Sequence, residues 1–102
     1  MINISEEERS IILQIIKKHI SNYEVRVFGS RLYQNLKPAS DLDIVIMDSK
    51  NRLDDVTYFN LIDEFQNSDL RFRVDVIKWS DTDESFRKII NQNYEILYML
   101  DR

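Results

Sequence analysis

Glycine occurs once in this chain of 102 residues, at position 29, where average usage predicts about seven. The one proline is Pro38. Turns elsewhere therefore rest on Asn, Asp and Ser. Only at Gly29 does the backbone demand a residue without Cβ, for a positive φ or for the close approach of another group.

The segments around Gly29 alternate between helix and strand patterns. Ser5-Glu6-Glu7-Glu8 reads as a capping box with acidic residues on the first turn. Ile11, Ile12, Ile15, Ile16 and Ile20 follow at helical spacing, which predicts a helix over Glu6–Ser21. Glu24–Phe28 reads as a short strand ending in Gly29-Ser30. Arg31–Leu36 has the look of a short helix, and Lys37–Ser40 of a loop. Asp41–Met47 is apolar, β-branched and short, hence a buried strand, and Asp48–Asn51 is a turn. Leu53, Val56, Phe59, Ile62 and Phe65 form an apolar stripe along a helix expected over Arg52–Asn67. Arg71–Trp79 reads as a third strand. A last helix starts at Ser80–Glu84 and places Phe86, Ile89, Ile90, Tyr94, Leu97 and Tyr98 on one face. The expected architecture is α/β (α+β): order α-β-α-β-α-β-α, one domain over 1–102, helices against a small three- or four-stranded mixed sheet.

Composition excludes several functions. There is no cysteine and only one histidine, His19, so thiolate and multi-histidine zinc sites are ruled out. A serine triad would have to use His19, which follows Lys17-Lys18 and reads as a surface residue. No apolar run is long enough to span a membrane, and Met1–Ser10 lacks a signal-peptide pattern; a cytoplasmic protein without membrane contact is the expectation. The net charge of −4 argues against direct nucleic-acid binding, which needs a basic face to displace counterions. It suits a chain that gathers carboxylates around a hard cation.

Three features carry chemistry: Gly29-Ser30 at a strand end, Asp41-x-Asp43 at the start of the next strand, and Asp75 inside Val74-Asp75-Val76-Ile77. Alternation along a strand puts Asp41 and Asp43 on one face, roughly 7 Å apart, with Leu42, Ile44 and Ile46 on the other. Two such carboxylates repel each other, and burial raises their pKa values unless a cation sits between them. Oxygen-only ligands point to Mg²⁺, with Mn²⁺ as the substitute. If the third strand lies beside the second, Asp75 completes a site for two ions about 4 Å apart, the arrangement that clamps both oxygens of a phosphoryl transfer. A glycine at the strand end lets backbone N–H groups approach phosphate oxygens; Ser30 adds a donor, and Arg31 or Lys37 neutralises charge. Plainer readings stand beside these. Asp41 and Gly29 alone would suit an ordinary turn, and Asp75 alone could pair with Arg73 on its own face.

Taken together, Gly29-Ser30-Arg31, Ser40-Asp41-Leu42-Asp43-Ile44 and Val74-Asp75-Val76 resemble the signature of the DNA polymerase β-like nucleotidyltransferase superfamily. Arg73–Trp79 and Phe86–Ile90 resemble its minimal nucleotidyltransferases, and the similarity runs from about Val25 to Ile90. The resemblance implies a nucleotidyltransferase fold. Gly29, Ser30 and Arg31 would bind the nucleotide, ATP or another triphosphate. Asp41 and Asp43 would ligate two Mg²⁺ ions. Asp75 would ligate the catalytic ion and help activate the acceptor hydroxyl. It further implies a small helical HEPN-domain partner in a toxin–antitoxin pair, with this chain as the antitoxin that adds AMP to the partner. The sequence departs from the family pattern at Leu32-Tyr33-Gln34, where many members have Ala-Arg-Gly, which bears on triphosphate affinity.

Two other features remain open. Tyr94, Ile96, Leu97, Tyr98, Met99 and Leu100 exceed what one helix face needs. They form either a helix end folded into the core or a contact surface for a partner or a second copy. The alternative function is a non-catalytic antitoxin that neutralises a helical partner by occlusion. Trp79, at a strand end, reads as core.

Overall fold

The computed structural model describes residues 2–32 and 40–100. Lys37 and the segment Tyr33–Ala39, on which part of the short helix and loop expectations fall, lie outside the described residues.

Helix α1 spans Glu6–Ile20. Ser5 caps it, accepting from the Glu8 N–H while the Glu8 carboxylate accepts from the Ser5 N–H, so the capping box forms as the sequence indicated. Strand β1 (Glu24–Phe28) leads through Gly29 into a single 3₁₀ turn, Ser30–Leu32. Strand β2 is Leu42–Met47, helix α2 Asp55–Gln66, strand β3 Val74–Lys78, helix α3 Glu84–Gln92 and strand β4 Tyr94–Tyr98. The four strands form one mixed sheet in the order β3-β2-β1-β4. β1 pairs antiparallel with β2 and β4, and β2 parallel with β3.

The last helix is shorter than its apolar pattern suggested. It ends at Gln92, and Asn93 turns to φ −157°, ψ 103°, an extended conformation. Tyr94–Tyr98 then pairs with β1, so among the described residues the order is α-β-β-α-β-α-β, with only the 3₁₀ turn Ser30–Leu32 where a short helix was expected between β1 and β2. The physical reason lies in two places. Asn91 and Asn93 are weak helix formers, and β1 would otherwise expose an unpaired edge. Of the apolar residues here, Leu97 is buried, while Ile96, Met99 and Leu100 are exposed.

The core lies mainly on one face of the sheet. Ile12, Ile15, Ile16 and Ile20 of α1, with Leu61 and Phe65 of α2, pack on Val25, Val27, Leu42, Ile44, Ile46 and Val76. The expected stripe on α2 is corrected here. Val56 and Phe59 are 71% and 62% exposed, and the helix faces inward through Tyr58, Leu61, Ile62 and Phe65, an i, i+3, i+4, i+7 set. The Tyr58 hydroxyl donates to the Val76 carbonyl at 2.7 Å, fastening α2 to the outer strand. His19 is not a bare surface residue: its Nε2 lies 2.7 Å from Glu64 and ties α1 to α2. The opposite face is covered only in part, by α3, through Ile90 and Phe86 against Phe28 and Val45, with Trp79 at the margin of this smaller cluster. What α3 leaves open on that face is where the acidic residues stand. Among the described residues, no helix is long and apolar enough to cross a membrane.

Candidate active site

The sheet register brings the predicted residues together. Asp43 lies opposite Phe28 on β1 and beside Asp75 on β3. Asp41 stands just before β2, where the Leu42 N–H donates to the Arg73 carbonyl at 2.9 Å and aligns the starts of β2 and β3. Leu42, Ile44 and Ile46 are fully buried, as alternation required, so Asp43 has no choice but the other face.

Gly29 is needed for both reasons that its isolation suggested. Its φ is +83°, in the left-handed region. A Cβ built there would stand 2.5 Å from the Asp43 Oδ2 atom, inside van der Waals contact. The bend after β1 is thus pressed against the carboxylate at the start of β2. Ser30 follows it in the 3₁₀ turn, with the Leu32 N–H donating to the Gly29 carbonyl.

Arg31, expected at the nucleotide, here donates to backbone carbonyls. It is 5% exposed. Its Nε and Nη2 donate to the Ser40 carbonyl at 3.0 and 2.7 Å, and its Nη1 to the Asn3 carbonyl at 3.2 Å. The guanidinium also stacks over Phe72, 4.1 Å from the ring centroid. In this arrangement Arg31 fastens the turn after Gly29 to the residue just before Asp41, and its fork is turned to backbone carbonyls.

The electrostatics single out Asp43. Burial pushes its carboxyl up to about 6, the negative charges of Asp75 and then Asp41 push the same way, and Arg73 pulls it down. Asp75 is paired with Arg73, whose Nη2 and Nε both donate to the Asp75 Oδ1, at 2.7 and 3.0 Å. The Arg73 Nε also lies 3.9 Å from the Asp41 Oδ2. The plainer expectation, that Arg73 pairs with Asp75 along one strand face, is therefore met, and the same arginine also reaches Asp41, which the sequence did not indicate. With the side chains so arranged, no three acidic groups among the described residues stand as a ready metal cage.

A divalent cation nonetheless suits this donor set. Three carboxylates supply only oxygen ligands, and the middle one resists ionisation because it is partly buried and faces two like charges, which Arg73 offsets only in part. Beside Asp75 a groove of about 400 Å³ runs between α2 and β3, lined by Tyr58, Ile62, Phe72, Arg73 and Val76 among others.

Comparison with known proteins bears on the same residues. Residues 4–102 match the family model described as polymerase beta, nucleotidyltransferase. The chain belongs to this nucleotidyltransferase family. The nucleotidyltransferase is 38% identical over 96 residues to the probable protein adenylyltransferase MntA of Haemophilus influenzae, covering 94% of this chain and 83% of that protein. Its fold is similar to a crystal structure of a toxin–antitoxin with AMP-PNP (TM-score 0.71, 19% identity, 88% of this chain and 72% of the other). It is also similar to the toxin–antitoxin MntA–HepT (TM-score 0.66, 17% identity, 92% and 72%). The minimal nucleotidyltransferase expected from the Gly-Ser and Asp-x-Asp motifs is the family found.

Proposed function

We propose that this nucleotidyltransferase uses Mg²⁺, with Mn²⁺ as a substitute, to move AMP from ATP onto a hydroxyl of a HEPN-type helical partner, and that it acts as the antitoxin of that pair. The observation that carries this reading is the placement of Asp43. Its carboxylate is half-buried between Asp41 and Asp75, is raised to about 6, and is held against the backbone of Gly29. The names of its relatives, a protein adenylyltransferase and toxin–antitoxin complexes, support the substrate and the partner.

Each residue has a task in that reaction. Asp41 and Asp43, with Asp75, would hold the cations, and these would supply positive charge against the phosphates and the leaving group. Gly29 and Ser30 present backbone N–H groups and a hydroxyl to the outer phosphates. Asp75 orients the acceptor hydroxyl and takes its proton. The acceptor oxygen bonds to the α-phosphorus, the bond to the bridging oxygen breaks, and pyrophosphate leaves. The sheet contributes positioning, with the register setting Asp43 beside Asp75 and Asp41 just before the start of β2.

A second reading rests on a separate observation. Ile96, Met99 and Leu100 are 41%, 56% and 43% exposed at the β4 end of the sheet, a surface suited to a partner or to a second copy of the chain. On that reading the chain neutralises its partner by covering it. Incubation with α-labelled ATP, Mg²⁺ and the protein encoded beside it separates the two. Adenylyl transfer predicts label on the partner, lost in Asp43→Asn. Neutralisation that persists in Asp41→Asn/Asp43→Asn without any label would establish occlusion instead.

A further inference from the structure

Arg73 stands where positive charge is in demand. It precedes β3 on the same face as Asp75, and its guanidinium reaches two of the three carboxylates, Asp75 through both Nε and Nη2 and Asp41 at 3.9 Å. The attraction is mutual: the hydrogen-bonded Asp75, then Asp75 and Asp41 as charges, raise the Arg73 guanidinium pKa, and Arg73 in turn lowers that of Asp43. Yet its side chain is 68% exposed, so it can swing into solvent without disturbing the core. With Asp75 engaged in this way, no three acidic groups among the described residues form a metal cage.

We propose that Arg73 is a resident counter-ion that holds the carboxylates in the absence of metal and must release Asp75 before a divalent cation can take its full ligand set. This rests on the metal-site reading above and adds to it a competitor built into the chain. Arg73 is then a positioning residue. It sets how much cation the site requires, because the cation has to displace an ion pair as well as bind.

The test is titration of Mn²⁺ alone, without nucleotide, followed by electron paramagnetic resonance or calorimetry at low ionic strength. Arg73→Gln should bind Mn²⁺ about five-fold more tightly than wild type, the scale of one exposed ion pair. Arg73→Lys keeps the charge but loses the two-donor fork and should fall between the two. Added salt should narrow the difference, since the competing pair is exposed. In an Asp75→Asn background, where the anchor is gone, Arg73→Gln should change affinity far less. A residue that merely shapes the site would give the opposite sign, weaker binding on removal. Equal or weaker Mn²⁺ binding by Arg73→Gln, with wild type binding normally, would overturn the competitor while leaving the metal site intact. No binding by either protein would overturn both.

Discussion

The two ends of strand β2 each carry an aspartate, and the fold treats them in opposite ways. Past the C-terminal end, Asp48 is 1% exposed and fully provided with donors. It accepts from the Leu53 N–H at 3.0 Å and from the N–H and hydroxyl of Ser80, each at 2.7 Å. Burial alone would raise its carboxyl, but these bonds outweigh that and hold it below the ordinary value. Nearby, the buried Lys78 ammonium donates to the Leu53 carbonyl and Asp55, both at 3.2 Å, and lies over the Tyr58 ring. At the N-terminal end, Asp43 is half-buried and raised by the same burial, and two more carboxylates push it further. One end satisfies its charge within the chain and stabilises the fold. The other leaves charge for something from outside to satisfy, which is the mark of a working site.

That contrast can be broken at several points. The largest effect expected is on catalysis: Asp43→Asn should lower adenylyl transfer by about 10²–10³-fold or more, the scale seen when preorganised charge stabilisation is removed, in an assay with labelled ATP. Asp48→Ala should instead cost about 3 kcal/mol of stability by stranding buried donors from Leu53 and Ser80, lowering Tm by about 15 °C in calorimetry. Gly29→Ala combines a left-handed φ with a methyl group 2.5 Å from the Asp43 Oδ2. It should lose about 2 kcal/mol by chemical denaturation and impair transfer as well, because the strain falls on the carboxylate itself.

The smallest effect is the most diagnostic. Asp43 has a folded value of about 6 against 3.8 in the ordinary state, so between those values the folded protein binds more protons than the unfolded one. Stability contributed by this group therefore falls as pH rises from about 4 to 6. Without metal, Asp43→Asn should be more stable than wild type by about 1 kcal/mol at pH 8, after allowance for solvent screening, and no more stable at pH 3.5. Asp48 has the opposite sign. Its contribution is present above the ordinary carboxylate range and is lost as pH falls through its depressed value. Melting curves taken from pH 8 downward should first rise slightly and then fall.

The N-terminal end of β2 is easier to read in the sequence than the C-terminal end. Asp43 sits among Leu42, Ile44, Val45 and Ile46, so a charged side chain there had no apolar purpose, and a lone glycine marked the bend beside it. Asp48 looked like a turn residue because its partners Leu53 and Ser80 are 5 and 32 positions away, the second on a separate strand end. Arg31 could not be placed from its motif. Its partners Asn3, Ser40 and Phe72 are set by tertiary packing alone. On α2, apolar residues occupy two helical faces, and periodicity could not decide which one meets the sheet until Tyr58 and Leu61 were seen there. Strand β4 was hidden because Tyr94 and Leu97 continue the spacing of α3. Pairing with β1, a non-local term, ends the helix.

The central claim is that Asp41, Asp43 and Asp75 form a cation-dependent nucleotide site. Thermal unfolding with and without Mg²⁺ and ATP addresses it most directly. Ligand at about 100 times its Kd should add about 2.7 kcal/mol and raise Tm by about 10 °C or more in the wild type. Asp41→Asn/Asp43→Asn should show no such rise. An unchanged wild-type Tm, or an equal rise in the double variant, would contradict the account.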